Sequence, residues 1–283
     1  MAELLKGAPV AAALTEAYRA RAEALRARGV APALAFVRVG AREDDLAYER
    51  AARRRCEQIG IETRTLALPE NAPREELLDA LRTLGGDASV HGLLLFRPLP
   101  EGFDEAAACA AIPPEKDVDG VSPASMAALY ADAPEGFAPC TAEACLALLR
   151  YYRVPLEGAH ALVIGRSLVI GKPAALLLLR ENATVTVAHS RTRELGALCR
   201  AADVVLVAAG RAGLIGAEHL RSGQTVVDVG IHALPDGALC GDVRFAEAEP
   251  LARAITPVPG GVGAVTAAVL CGHVLRAAER LSE

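Results

Sequence analysis

The stretch Gly165-Arg166-Ser167-Leu168-Val169-Ile170-Gly171-Lys172-Pro173 follows the apolar run ALVIG and leads into a helical pattern. Gly165 lets a chain leave a strand tightly and Gly171 allows close backbone approach. Pro173 suits the first turn of a helix whose N-terminal dipole would face a pyrophosphate. The run is not GxGxxG, and ordinary strand-to-helix punctuation uses the same residues. The next apolar run, TVTVAHS, ends in His189-Ser190-Arg191-Thr192. An NAD site usually has Asp or Glu about 20 residues beyond the first glycine, holding the ribose hydroxyls. No acid closes this strand. Its hydroxyl and guanidinium groups, joined by Arg166, suit a 2′-phosphate and favour NADP over NAD. The same residues also read as a polar helix start with Ser190 or Thr192 as N-cap.

These residues need strands and helices to position them. Apolar positions at helical spacing from about Ala13 to Arg28 lead through Gly29 to the strand ALAFVRVG. A charged helix from about Glu43 to Ile59 stops at Gly60, followed by strand IETRTLALP, helix REELLDALRTLGG and strand VHGLLLFRPLP. Helices alternating with buried strands predict an α/β fold with a parallel sheet. After the Pro-rich turn near Ala138 the alternation restarts: helix TAEACLALLRYY, strand ALVIG, helix KPAALLLLREN, strand TVTVAHS, helix RELGALCRAA, and strands VVLVAAG and TVVDVG. That order predicts a doubly wound nucleotide-binding domain of Rossmann type. The helix from about Thr266 to Leu281 is long enough to return to the first domain and close a cleft between the two.

Two domains also suit a length of 283 residues. With 52% hydrophobic residues, disorder, collagen and coiled coil are excluded for the whole chain. A formal charge of -5 gives no global attraction to nucleic acid or anionic lipid, which points to a small-molecule partner. The seven cysteines, scattered and never spaced CxxC, fit reduced thiols in a cytoplasmic protein. No apolar run reaches the roughly 20 residues of a membrane span. The six histidines are isolated from one another in sequence, so no metal cluster is expected.

Eight ordered motifs carry a resemblance along almost the whole chain. They are Lys116-Asp117-Val118-Asp119-Gly120, Pro139-Cys140-Thr141, the Gly165-to-Pro173 run, Ala183-Thr184-Val185-Thr186, His189-Ser190-Arg191-Thr192, Asp228-Val229-Gly230, Gly241-Asp242-Val243 and Thr256-Pro257-Val258-Pro259-Gly260-Gly261-Val262-Gly263. The chain resembles the methylenetetrahydrofolate dehydrogenase/methenyltetrahydrofolate cyclohydrolase family, the FolD type of one-carbon metabolism. The resemblance implies a folate-binding catalytic domain over 1–138 and 265–283 and an NADP-binding domain over 139–264, usually in a homodimer. It implies that Tyr48 stacks against the folate and Asp119 hydrogen-bonds the pterin ring, with Pro259, Gly260 and Gly261 beside the substrate. For the cofactor it implies Gly165, Arg166, Ser167, Gly171, Ser190, Arg191 and Ile231, and no metal.

The chain departs from the family pattern at two linked positions. The family's Lys four residues beyond the Tyr is here Ala52. The Gln that holds that Lys, in a VQLPLP strand end, is here Phe96 in Leu95-Phe96-Arg97-Pro98. Residues four apart on a helix lie about 40° apart on one face, so the family pair would converge on the folate. A ring filling the space of a lost Lys stem conserves volume. Arg53 points about 100° away from position 52, and Arg97 stays protonated near neutral pH, so neither is a natural proton shuttle. Asp45, Ser125, Ala142, Ala144 and Gly263-Ala264-Val265 also depart, mostly on the folate side, while the cofactor loop is nearly unaltered.

Hydride loss from methylenetetrahydrofolate needs positioning but no obligatory proton transfer, whereas hydrolysis of the methenyl product needs an acid/base group. The expectation is an NADP-dependent methylenetetrahydrofolate dehydrogenase with cyclohydrolase activity lost or strongly impaired. The alternatives are a relative recruited to another one-carbon transfer or ring closure, a bifunctional enzyme with a substitute acid/base, and a folate- or NADP-binding regulatory protein.

Overall fold

The computed structural model describes residues 2–283. In chain order the elements are β1 (Glu3–Leu4), α1 (Gly7–Ala27), β2 (Ala33–Val39), α2 (Glu43–Ile59), β3 (Glu62–Leu68), α3 (Arg74–Gly86), β4 (Gly92–Leu95), α4 (Glu105–Ala110), α5 (Pro123–Tyr130), α6 (Cys140–Tyr151), β5 (His160–Ile164), α7 (Gly171–Arg180), β6 (Thr184–Ala188), α8 (Leu195–Ala201), β7 (Val204–Val207), β8 (Thr225–Asp228), β9 (His232–Ala233), β10 (Leu239–Cys240), α9 (Phe245–Ala248), β11 (Ala254–Ile255) and α10 (Thr266–Leu281).

One compact unit comprises Ala12–Cys140 and Ala267–Glu283. Its parallel sheet has the order β3-β2-β4. Strand β2 is central, which is why ALAFVRV is apolar on both faces and almost wholly buried. Helix α2 starts with Glu43, Asp44 and Asp45 where the helix dipole favours acids, and stops at Gly60, whose φ of 95 needs no Cβ. It buries Asp45, Glu49, Ala52, Cys56 and Ile59, a stripe at alternating spacings of four and three that follows one helical face.

The two acids in that stripe have partners. Arg42 donates to both Asp45 oxygens at 2.9 and 2.7 Å. Glu49 accepts from Arg38 at 3.3 Å, Arg53 at 3.0 Å and Thr65 at 2.6 Å. Burial by itself would raise the Glu49 carboxyl. The Thr65 and Arg53 hydrogen bonds and the charges of Arg38 and Arg53 outweigh it and hold the group below its ordinary value. Arg53, which points away from position 52, is thus committed to Glu49 and to the hydroxyls of Thr63 and Thr65.

Helix α10 packs within this unit, as expected of the returning C-terminal helix. His273 Nδ1 donates to the Val118 carbonyl at 2.8 Å, and Arg21 grips Glu279 at 2.9 and 2.7 Å. The Sγ atoms of Cys271 and Cys56 lie 3.6 Å apart.

The other unit comprises the chain through Ala11 and Thr141–Thr266. Its parallel sheet has the order β1-β11-β8-β7-β5-β6. The sequence reading placed the first residues with the folate domain. The structure groups them here because β1 pairs with β11, Glu3 opposite Ala254 and Leu4 opposite Ile255. Two-residue strands carry no readable alternation, so neither was anticipated. From β5 the chain adds β6 on one side and then β7, β8 and β11 on the other, making the C-terminal ends of β5 and β7 the point where strand order reverses. In open α/β sheets that crevice is where ligands bind. Among the described residues no helix is long and apolar enough to cross a membrane.

Candidate functional site

In the unit built on β2, Tyr48 lies at the border of the buried stripe of α2 and is half-buried. One turn on, Ala52 is fully buried. Phe96, directly after β4, presents its ring edge-on to Tyr48 at a centroid distance of 6.2 Å and 78°. Phe96 also packs against Phe36 at 6.1 Å, and the Arg53 guanidinium lies 5.5 Å from the Phe36 centroid. The Tyr48 ring is therefore held by an aromatic wall where an ammonium on α2 would need polar company. Burial pushes its phenol well above the ordinary range, reinforced by Cys140, Asp119, Cys271 and Cys56 nearby. Tyr48 stays neutral and offers a flat apolar face.

Asp119 is half-buried, and its Oδ1 accepts from the Cys140 backbone N–H at 3.4 Å. Burial raises this carboxyl, while the Cys140 hydrogen bonds and the Arg97 charge pull it back. Its neighbour Asp117 is fully buried and accepts from the N–H groups of Val121 at 3.0 Å and Ser122 at 2.8 Å. One Asp of the KDVDG run thus closes the turn, and the other is left able to meet a ligand. Gly120 belongs to the same turn: its φ is 63, and a Cβ there would lie 2.4 Å from the Phe137 carbonyl oxygen.

In the Rossmann unit, Gly165 ends β5 with a φ of 132, and a Cβ on it would lie 2.2 Å from the carbonyl oxygen of Ala208, directly after β7. A Cβ on Gly171, which opens α7, would lie 2.2 Å from the Gly165 carbonyl oxygen. The loop is folded against the crevice so closely that only glycine fits at either end. Ser167 Oγ accepts from Ile170 N–H at 3.1 Å and Gly171 N–H at 3.4 Å, capping the first turn of α7. Arg166, Ser190 and Arg191 are exposed, and Ile231 is 60% exposed at the end of β8. Thr192 Oγ1 accepts from His189 N–H at 2.8 Å and closes the turn after β6; α8 begins only at Leu195 with Glu194 at its N-cap position, so neither Ser190 nor Thr192 is the helix cap.

Two carboxylates brace these loops. Asp228 accepts from the N–H groups of Gly230 at 3.0 Å, Asp242 at 3.0 Å and Val243 at 2.9 Å; burial pushes it up to about 6 against those bonds. Fully buried Asp242 accepts from the N–H groups of Ala209 at 2.6 Å, Gly210 at 2.9 Å and Arg211 at 2.8 Å, and from His232 Nε2 at 2.7 Å. A Cβ on Gly230 would sit 2.5 Å from Asp242 Cγ, and one on Gly241 would sit 1.9 Å from Asp228 Oδ2. Each glycine clears space for the other motif's carboxylate, so Asp228-Val229-Gly230 and Gly241-Asp242-Val243 interlock. Asp242→Asn should turn an amide N–H₂ toward donors and lower stability by about 3 kcal/mol or more, read by urea unfolding.

The sequence reading missed this role of Asp242, and it treated His232 as isolated. Ten residues separate the pair, and only the hairpin β9–β10 brings them together. The Pro259-Gly260-Gly261 segment also lies in this unit: Gly260 has a φ of 100, and its carbonyl accepts from Gly7 N–H at 2.8 Å.

A model of the tetrahydrofolate dehydrogenase/cyclohydrolase catalytic domain matches residues 5–119, and one of that family's NAD(P)-binding domain matches residues 139–282. The chain belongs to this family. The bifunctional protein FolD of Carboxydothermus hydrogenoformans is 49% identical over 284 residues, covering 100% of this chain and 99% of its own. The bifunctional FolD methylenetetrahydrofolate dehydrogenase/cyclohydrolase of Campylobacter jejuni has a TM-score of 0.96 at 37% identity, over 99% of each chain. The FolD of Trypanosoma brucei, solved with NADP cofactor and inhibitor, has a TM-score of 0.93 at 36% identity, over 99% of this chain and 98% of its own. Family membership accounts for a catalytic-domain match in the unit built on β2 and an NAD(P)-binding match in the Rossmann unit.

Proposed function

We propose that this protein is an NADP-dependent methylenetetrahydrofolate dehydrogenase in which cyclohydrolase activity is lost or strongly impaired. The observation that carries the second half of this reading is the packing at Ala52. Ala52 is fully buried one helical turn beyond Tyr48 and the Phe96 ring packs on Tyr48, at the two positions where the resemblance leads one to expect Lys and Gln. Relatives named bifunctional support the dehydrogenase half, and the aromatic wall supports the departure from them.

The Gly165–Gly171 loop fits a dinucleotide, since its bare glycines let the backbone close tightly on Ala208 and on the start of α7 at the C-terminal edge of the sheet. NADP supplies an oxidised nicotinamide that accepts a hydride. Gly165, Ser167 and Gly171 shape the loop at the N-terminus of α7, where backbone dipoles favour a pyrophosphate. Arg166, Ser190 and Arg191 supply the charge and hydroxyl that a 2′-phosphate takes. Tyr48 stacks on the pterin portion and Asp119 accepts its N–H donors, while Pro259, Gly260 and Gly261 line the substrate side. Hydride departure leaves a resonance-stabilised amidinium, so these residues need only bind and orient. No amine on α2 is in place to move a proton for ring opening. On the same reading the protein is a cytoplasmic homodimer; cysteines that form no disulfide among the described residues support the compartment.

The test is to mix the protein with methylenetetrahydrofolate and NADP and follow NADPH absorbance. Reduction at an enzymatic rate is the expected result, and no reduction overturns the reading. In the same assay Asp119→Ala should lower kcat/KM for the folate by about 10²-fold, with the KM for NADP unchanged. Equal loss on both substrates would place Asp119 in the scaffold instead.

A further inference from the structure

His232 follows Ile231 at the end of β8 and opens the hairpin β9–β10, whose far strand runs directly into Gly241 and Asp242. Because an ionised carboxylate only accepts, the 2.7 Å contact with Asp242 Oδ1 places a proton on His232 Nε2. The same carboxylate holds three consecutive N–H groups, Ala209 to Arg211, at the C-terminal end of β7. The Ala208 carbonyl before them is the group against which Gly165 packs. One buried anion thus ties the β5–β7 crevice to the residue next to Ile231. Gly230, on the other side of Ile231, is fixed by its bond to Asp228. A 60% exposed isoleucine clamped on both flanks at the C-terminal edge of a parallel sheet is a rigid apolar surface beside a ligand crevice.

We propose that His232 is a positioning residue for the dinucleotide: its bond to Asp242 locks Ile231 and the 209–211 turn into one surface. The inference rests on the reading that NADP binds this unit. A charge-assisted hydrogen bond lost at such a clamp corresponds to about tenfold in affinity. His232→Ala should therefore raise the Kd for NADP about tenfold and raise its KM in parallel, with kcat at saturating NADP unchanged. His232→Gln, whose amide N–H reaches Asp242 from nearly the same place, should stay within about threefold of the original Kd.

The experiment titrates the full chain and both variants with NADP alone, by calorimetry, and follows hydrogen exchange of the original protein with and without NADP. NADP should slow exchange at 231–233 and 209–211 together, a result independent of whether the Ala variant folds. An unchanged Kd in a folded His232→Ala, a Gln variant as weak as Ala, or protection confined to 209–211 overturns the inference while leaving the cofactor reading intact. Failure of the original protein to bind NADP overturns the cofactor reading and this inference with it.

Discussion

Supplied with methylenetetrahydrofolate and NADP, the protein is expected to build up methenyltetrahydrofolate, which then decays at the rate set by solvent. NADPH formation and methenyl decay are separate optical signals, so the two steps can be read in one cuvette. Positioned general acid–base catalysis contributes about 10²–10⁴-fold, and that factor should be missing from ring opening while hydride transfer proceeds. Methenyl decay at an enzymatic rate would sink the proposal and require a substitute acid/base.

The restoring variant must change both positions. Lys at 52 alone would drive an ammonium into a fully buried site, costing about 3 kcal/mol or more in overpacking and desolvation. Gln at 96 alone would leave a hole beside Tyr48 and an amide without a partner. Ala52→Lys with Phe96→Gln opens the volume and supplies the polar contact together, so the two changes should be strongly non-additive. The double variant is expected to hydrolyse methenyltetrahydrofolate at least about 10²-fold faster than the original, with the dehydrogenase rate within about threefold. No gain in a folded double variant would place the defect elsewhere in the folate site.

Gly171→Ala is expected to abolish measurable NADP binding. The added Cβ would lie 2.2 Å from the Gly165 carbonyl oxygen, 2.4 Å from its carbon and 2.7 Å from the Arg166 nitrogen. All three are backbone atoms of the same loop, so no rotamer change relieves the clash, and the loop must swing off the crevice. The distortion should cost about 3–5 kcal/mol, shared between stability and affinity, which is more than 10²-fold in Kd if most falls on the bound state. Gly86→Ala is the control, because a Cβ at that helical position meets nothing within 4 Å. It should leave NADP binding unchanged and hold or slightly raise Tm. Calorimetric titration and thermal melts of both variants check this, and a Gly171→Ala that binds NADP normally would remove the loop from the cofactor site.

Much of this was legible in the order of residues alone. The alternation of buried strands and amphipathic helices announces a parallel α/β chain, because backbone geometry imposes periods that side chains must follow. The loop from Gly165 to Pro173 reveals a tight strand-to-helix turn for the same local reason. Positions 48, 52 and 96 could be compared with a family pattern because motifs keep their spacing. Other features depend on which distant segments meet. The first strand joined the Rossmann sheet because two residues pair with Ala254 and Ile255, far along the chain. Arg53, one of many charges on α2 in the sequence, is held by Glu49 and two threonines on β3. His232 and Asp242 became a clamp only when a hairpin folded between them and β7 offered three N–H groups. Periodicity reports what a residue's own helix or strand demands. A buried carboxylate's partners are chosen by the packing that strips water from it, and that is settled in three dimensions.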